Sequence, residues 1–303
     1  MRRLRSGIAA KAAMVLALTL AACASQDEPT GQVAGATSIP ATTAARVAVA
    51  TDFDPASFSD PTRVDNRWFP LEPGTQLTWQ GSALDGKEKI ARKVVFTVTG
   101  LTKTISGVRT VVGFDRDYND GELVEPELAF FAQDDDGNVW TLGQYPEEYE
   151  DGKVVAAPAW LAGFEGAEAG LVMRAAPRPG TPDWSQGLGP KVEYADRAKV
   201  RKVGARTCVP AGCYEDVLVT EEWDAADPTA RQLKYYASGL GNVRVGWAGT
   251  DEEKEVLELT KVAQLAPTAL AAADAQALQL EQRAYQRSKG LYGRTAPAEG
   301  SPG

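Results

Sequence analysis

Four Asp-Gly pairs constrain this chain more than any other feature: Asp85-Gly86, Asp120-Gly121, Asp136-Gly137 and Asp151-Gly152. Asp-Gly tolerates the positive φ that a tight hairpin turn demands. Each pair sits between stretches rich in β-branched and aromatic residues. Residues Ile90 to Thr99 alternate with period two. Further β-rich stretches are 108–114, 123–131, 139–145, 192–203, 214–223, 233–236, 243–247 and 256–262. Parallel pairing would need crossovers of about a dozen residues or more, and no helical pattern lies between these stretches. The expected fold is therefore mainly β: an antiparallel meander forming a strongly curved sheet or open barrel.

Two segments depart from this rhythm. Residues 157–190 hold six glycines, from Gly163 to Gly189, and five prolines. A loop of that length inside a domain is uncommon. Trp160, Phe164, Leu171, Val172 and Met173 predict that it packs down, capping one end of the sheet. After Pro267, Leu270, Ala273, Ala277, Leu280 and Ala284 recur at helical spacing. Pro267 suits a first helical turn and Gly290 a helix end. The narrow, alanine-rich stripe predicts a surface helix docked on the sheet or on a partner.

The N-terminus bears on location. Arg2, Arg3 and Arg5 form a basic head, and an apolar run extends from Ala12 to Ala22. The run is shorter than the roughly 20 residues that a spanning helix requires. Head and run make a secretory signal pattern. It ends in Leu20-Ala21-Ala22-Cys23, which resembles the bacterial lipobox, whose cysteine is acylated after cleavage. The chain of 303 residues carries a formal charge of −9 and no histidine. Removing residues 1–22 takes away four basic groups and no acid, so the mature chain stands at −13. An acidic body is weakly repelled by anionic lipid within about 8 Å. Attachment must then come from acyl chains on Cys23, at about 0.8 kcal/mol per buried CH₂. Residues 24–52 are rich in Ala, Thr, Ser, Gly and Pro, which predicts a flexible tether. The expected organisation is 1–22 signal peptide, 23–52 acylated cysteine and tether, 53–265 β domain, 266–290 helix and 291–303 disordered tail. The expected location is the cell membrane or outer membrane, lipid-anchored and facing the periplasm or exterior.

With Cys23 acylated, Cys208 and Cys213 remain, spaced Cys-Val-Pro-Ala-Gly-Cys. Outside the cytosol such a pair is expected as a disulfide. Closing so short a loop contributes only about 2 kcal/mol by chain entropy. Metal ligation would need further soft donors, and the chain has neither histidine nor a second cysteine pair.

Zero histidines exclude Ser-His-Asp, Cys-His and HExxH chemistry. The acidic balance argues against nucleic acid, whose phosphates demand basic side chains. Residues 81–87 match the first seven places of a P-loop, but Glu88 replaces the Mg²⁺-holding hydroxyl and a strand pattern follows. Two acidic clusters are the candidate metal ligands: Asp115, Asp117 and Asn119, and Asp134, Asp136 and Asn138. Hard oxygens of this kind suit calcium, but neither cluster spells a complete loop; cofactor dependence is not expected otherwise. Paired carboxylates could also support hydrolysis. Trp68, Trp79, Trp140, Trp184, Trp223 and Trp247 are expected as core.

Four segments carry a family resemblance: 66–75 (Asn-Arg-Trp-Phe-Pro-Leu-Glu-Pro-Gly-Thr), 132–140 (Ala-Gln-Asp-Asp-Asp-Gly-Asn-Val-Trp), 170–173 (Gly-Leu-Val-Met) and 234–241 (Lys-Tyr-Tyr-Ala-Ser-Gly-Leu-Gly). Together they resemble a family of uncharacterised bacterial cell-envelope lipoproteins across about residues 60–247. Ser238 and Asn242 depart from that pattern. The resemblance implies no activity and no catalytic residue. The functional expectation is a non-enzymatic, membrane-anchored envelope lipoprotein. Its curved β domain binds a ligand, such as a lipid or other apolar molecule. The alternatives are a lipoprotein that binds another envelope protein and a carboxylate-based hydrolase.

Overall fold

The computed structural model describes residues 53–301. Cys23, the expected signal segment and the expected tether up to residue 52 lie outside the described residues. A first antiparallel meander runs through β1 (Thr75–Asp85), β2 (Glu88–Ile105), β3 (Val108–Asn119), β4 (Glu122–Gln133) and β5 (Val139–Pro146). A separate hairpin follows, β6 (Glu148–Glu150) with β7 (Lys153–Ala156). Three short strands come next: β8 (Trp160–Leu161), β9 (Gly170–Met173) and β10 (Trp184–Ser185). A second meander comprises β11 (Asp196–Val209), β12 (Gly212–Asp224), β13 (Ala230–Ala237), β14 (Gly241–Gly249) and β15 (Val256–Gln264). The chain ends in α1 (Pro267–Arg287), α2 (Lys289–Tyr292) and β16 (Glu299–Gly300).

The two meanders make one 14-stranded antiparallel sheet because β1 pairs with β15, from Thr75↔Gln264 to Ser82↔Val256. A Cβ at Gly81 would lie 1.8 Å from the Val256 carbonyl oxygen, so only glycine permits this crossing. Bulges recur along the ladders, at Thr78/Trp79, Val98/Thr102, Asp117/Tyr118, Phe130/Phe131 and Tyr235/Tyr236 among others. Each bends its strand and increases local twist, which curves the sheet.

The turns follow the expected chemistry, with local shifts. Asp120-Gly121 and Asp151-Gly152 fill both central positions of two-residue turns with positive φ, and so does Ser106-Gly107, a turn without Asp. In the first hairpin Asp85 pairs with Glu88, so the turn is Gly86-Lys87. Asp136-Gly137 lies in a longer loop between Gln133 and Val139.

The 157–190 segment is not a cap on one end. It joins both ends of the sheet: β8 and β9 pair with β5, and β10 pairs with β11. Glu168 pairs with Leu188, and the Trp184 indole N–H donates to the Leu171 carbonyl at 3.0 Å. The ends therefore meet through this segment, although no continuous ladder closes the sheet.

Helix α1 packs across β2 and β4. Ala277, Leu280 and Ala284 lie in one core with Leu128, Phe130, Leu142 and Tyr145. The helix ends at Arg287, three residues before Gly290, which falls inside α2. In place of the expected disordered tail, the chain runs back along the sheet as far as residue 301, buried at its start and largely exposed beyond it. Leu291 and Tyr292 are buried, and β16 pairs with β2. The polar anchor is Lys103, itself buried: its Nζ donates to Glu281 Oε1 (2.8 Å), Tyr285 OH (3.2 Å) and the Ala296 carbonyl (2.6 Å). Trp68, Trp79, Trp140, Trp184 and Trp223 are buried as expected, whereas Trp247 is 40% exposed. It stands near the end of β14, with Lys254 over its ring.

Candidate functional site

Side chains on a strand alternate between faces, and residues opposite one another across a ladder share a face. Lys103 and Arg116 bond to α1, which defines the helix face of the sheet. The far face carries Arg92, Val94, Phe96 and Val98 of β2 and Gly113, Asp115 and Asp117 of β3. It continues through Glu125, Glu127 and Ala129 of β4 to Gln144 of β5.

One part of this face is filled. Leu77, Trp79, Val94, Val243, Val245, Leu257 and Leu259 pack together, joined by Val209 from the tip of the β11–β12 hairpin. Cys208 and Cys213 face each other at that tip and form the expected disulfide. The Ala211 N–H between them donates to the Leu259 carbonyl at 3.0 Å. The disulfide therefore stiffens a hairpin that folds back onto β15.

The other part is polar and buried. The Arg92 guanidinium donates to Glu255 Oε1 (3.1 Å), Asp117 Oδ2 (3.1 Å) and Asn119 Oδ1 (2.6 Å). Glu255 Oε2 accepts from Gln232 (3.1 Å). Gly81, on the strand between Arg92 and Glu255, leaves room for this reach. Nearby, Glu222 accepts from Thr220 (3.0 Å) and the Tyr236 hydroxyl (3.1 Å) and pairs with Lys234 (2.5 Å). Burial opposes the Glu222 charge, yet Lys234 and these hydrogen bonds hold its pKa below the usual carboxylate value. Burial, then the Glu222 charge, push the Tyr236 hydroxyl well up.

The β3–β4 ladder brings acids face to face: Asp115 opposite Glu127 and Asp117 opposite Glu125, all buried. Burial raises the Asp115 pKa. Burial first, and then the neighbouring Asp115 charge, raise that of Asp117 well above the ordinary value, with Arg92 opposing. Like charges directly opposite on a ladder destabilise it. Buried, mutually perturbing carboxylates are a mark of functional sites. The sequence reading singled out Asp115, Asp117 and Asn119 but missed the opposing Glu125 and Glu127, and Arg92, Glu255, Glu222 and Lys234.

The two candidate calcium clusters lie at opposite ends of β4. Asp117 and Asn119 turn oxygens to Arg92, as above. Asp134 caps its own loop, accepting from the Asn138 backbone N–H (2.7 Å), Asn138 Nδ2 (2.9 Å) and the Trp140 indole (2.7 Å). Asn138 Oδ1 accepts from the Ala175 N–H, and Asp136 is exposed on the loop. Among the described residues no group of three or more His, Cys, Asp or Glu side chains is arranged to hold a metal ion.

The four segments of the family resemblance converge. Asn66 Nδ2 donates to the carbonyls of Gly137 and Arg174, and its Oδ1 accepts from the N–H groups of Trp68 and Phe69. The Arg67 guanidinium donates to Ser238 and Asp216, and its carbonyl accepts from Gly239 N–H. Residues 66–75 thus tie the β4–β5 loop, the end of β9 and the β13–β14 turn together.

No protein-family profile matches the chain, and no curated protein does. Solved structures with similarity include a presumed exported protein with a YmcC-like fold from Bacteroides fragilis. It is 15% identical over 65% of this chain and 99% of that one, with a TM-score of 0.39. A presumed lipoprotein from Parabacteroides distasonis is 10% identical over 66% of this chain and 100% of that one, with a TM-score of 0.35. Likeness at this level says nothing of function.

Proposed function

We propose that the protein is a lipid-anchored envelope lipoprotein, without catalytic activity, that binds a polar ligand on the far face of its curved sheet. The observation that carries this reading is the buried register of Asp115 and Asp117 against Glu127 and Glu125. Glu222, Glu255, Arg92 and Lys234 are buried on the same face. Like charges set directly opposite on a ladder cost stability, and a bound ligand accounts for their retention. A lipid or other apolar ligand suits the face less well, because its apolar part is already packed on itself. Anchoring rests on Leu20-Ala21-Ala22-Cys23.

The test is native mass spectrometry of the mature chain, residues 23–303 with Cys23→Ser, purified from its own host. A co-purified small molecule lost in Asp117→Asn/Glu125→Gln supports the reading; a ligand-free protein overturns it. Metabolic labelling with palmitate tests the anchor, which should be absent in Cys23→Ser. The same facing carboxylates favour a second reading, carboxylate-based hydrolysis. Turnover of nitrophenyl glycosides abolished by Asp117→Asn would establish it, and absence of turnover would dismiss it.

A further inference from the structure

Among the described residues, the buried hydrogen-bond donors without an acceptor include two on the far face. They are Nε2 of Gln144 and Nε1 of Trp160. The two residues are 7% and 3% exposed, and they stand directly opposite each other on the β5–β8 ladder. Opposed residues carry their Cβ atoms about 4.5–5.5 Å apart on one face.

Trp160 is held in place from several sides. Its ring stacks on Tyr194 with centroids 4.9 Å apart and an interplanar angle of 28°. Gly187 and Gly189 lie beneath it, where a Cβ would come within 2.7 and 2.8 Å of the indole. Such an indole cannot swing away to find another acceptor. A donor buried without a partner costs about 1–3 kcal/mol, so two in adjacent positions call for an oxygen from outside the chain.

The carboxylates limit what that oxygen belongs to. Gln144 is opposite Ala129, one alternate position along β4 from Glu127, and Glu127 is opposite Asp115. This diagonal spacing is about 7–8 Å. An anion would satisfy the two donors but be repelled by the carboxylates. A metal cation would suit the carboxylates but be repelled by the N–H groups. A hydroxyl-rich neutral molecule satisfies both, because each hydroxyl accepts from Gln144 or Trp160 and donates to a carboxylate.

We propose that Gln144 and Trp160, with Asp115 and Glu127 beside them, form a subsite for a neutral polyol of the carbohydrate class. The inference rests on the binding reading above and names its ligand class.

The test uses ¹⁵N-labelled mature chain carrying Cys23→Ser, with the Trp160 indole resonance identified by its loss in Trp160→Phe. The probes are methyl glucosides, methyl mannosides, methyl galactosides, N-acetylglucosamine and its dimer, each titrated to 100 mM. The expected result is a saturable shift of the Trp160 indole peak with at least one probe. In Gln144→Leu, the affinity should fall at least tenfold while the remaining spectrum is retained. No saturable shift across the panel, or a shift indifferent to Gln144→Leu, overturns the proposal. If Gln144→Leu fails to fold, Gln144→Glu replaces it; the added carboxylate accepts where Gln144 donated and should abolish the shift. A co-purified ligand without hydroxyl groups would overturn this subsite and leave the binding reading standing. A ligand-free protein with no sugar response would end both.

Discussion

Replacing Lys103 by methionine tests how the C-terminal segment is held. The change keeps an unbranched side chain of similar length but removes three donors at once. Glu281 Oε1 loses its 2.8 Å partner and keeps only the Ala298 N–H, at 3.1 Å; the Ala296 carbonyl loses its Lys103 donor, and Tyr285 OH loses one too but still donates to the Thr295 carbonyl at 3.1 Å. Lys103 and Glu281 are 1% and 3% exposed, so water does not compensate. Stranding one charge of a buried pair costs about 3–5 kcal/mol. For a domain of this size each kcal/mol shifts Tm by about 2–4 °C, so Lys103→Met should lower Tm by about 6–20 °C. Urea unfolding followed by tryptophan fluorescence gives the free energy directly. The double variant Lys103→Met/Glu281→Leu removes the stranded carboxylate and should be more stable than Lys103→Met alone. Loss of the anchor should also free residues 295–301 and open Arg294 to trypsin. A Tm within 2 °C of the parent, or a double variant less stable than the single one, would refute the reasoning.

Three further outcomes follow from the same packing. Asp115→Asn should raise Tm at pH 7.5 and leave it unchanged at pH 3. A carboxyl whose pKa is raised by burial penalises the folded state only above its unfolded value, and the penalty grows as pH rises through the folded one; equal Tm values at both pH values would contradict this. Gly81→Ala should prevent folding, because its Cβ would overlap the Val256 carbonyl at 1.8 Å; a folded variant by circular dichroism would show that β1 and β15 do not cross so closely. Cys208→Ser/Cys213→Ser should cost about 2 kcal/mol in urea unfolding, and a loss above about 4 kcal/mol would mean that the tip docked on β15 depends on the bridge for more than loop closure.

The site shows why some of it was legible and some was not. A two-residue turn at Asp120-Gly121 pairs Asn119 with Glu122 and Tyr118 with Leu123. Continued without interruption, that register would place Asp117 opposite Val124 and Asp115 opposite Pro126. The bulge between Asp117 and Tyr118 moves the pairing by one residue and sets acid against acid. No residue type in the sequence announces that bulge, so the acids of β3 read as turn decoration or calcium ligands. Lys103 is equally silent: a lysine in an alternating strand reads as solvent-facing until α1 is laid over it.

What the sequence alone determined is local. Asp-Gly chemistry, period-two alternation, the helical stripe after Pro267 and the Cys208–Cys213 spacing each involve residues a few positions apart, where turn geometry and side-chain periodicity decide the outcome. Tertiary structure decided the rest: the pairing of β1 with β15 that joins two meanders, the 157–190 segment that links the ends of the sheet, and the return of the C-terminal residues to pair with β2. Those contacts join residues far apart in the chain. They form only when the apolar faces and the buried charges of distant strands are satisfied together, and no short stretch of sequence encodes that condition.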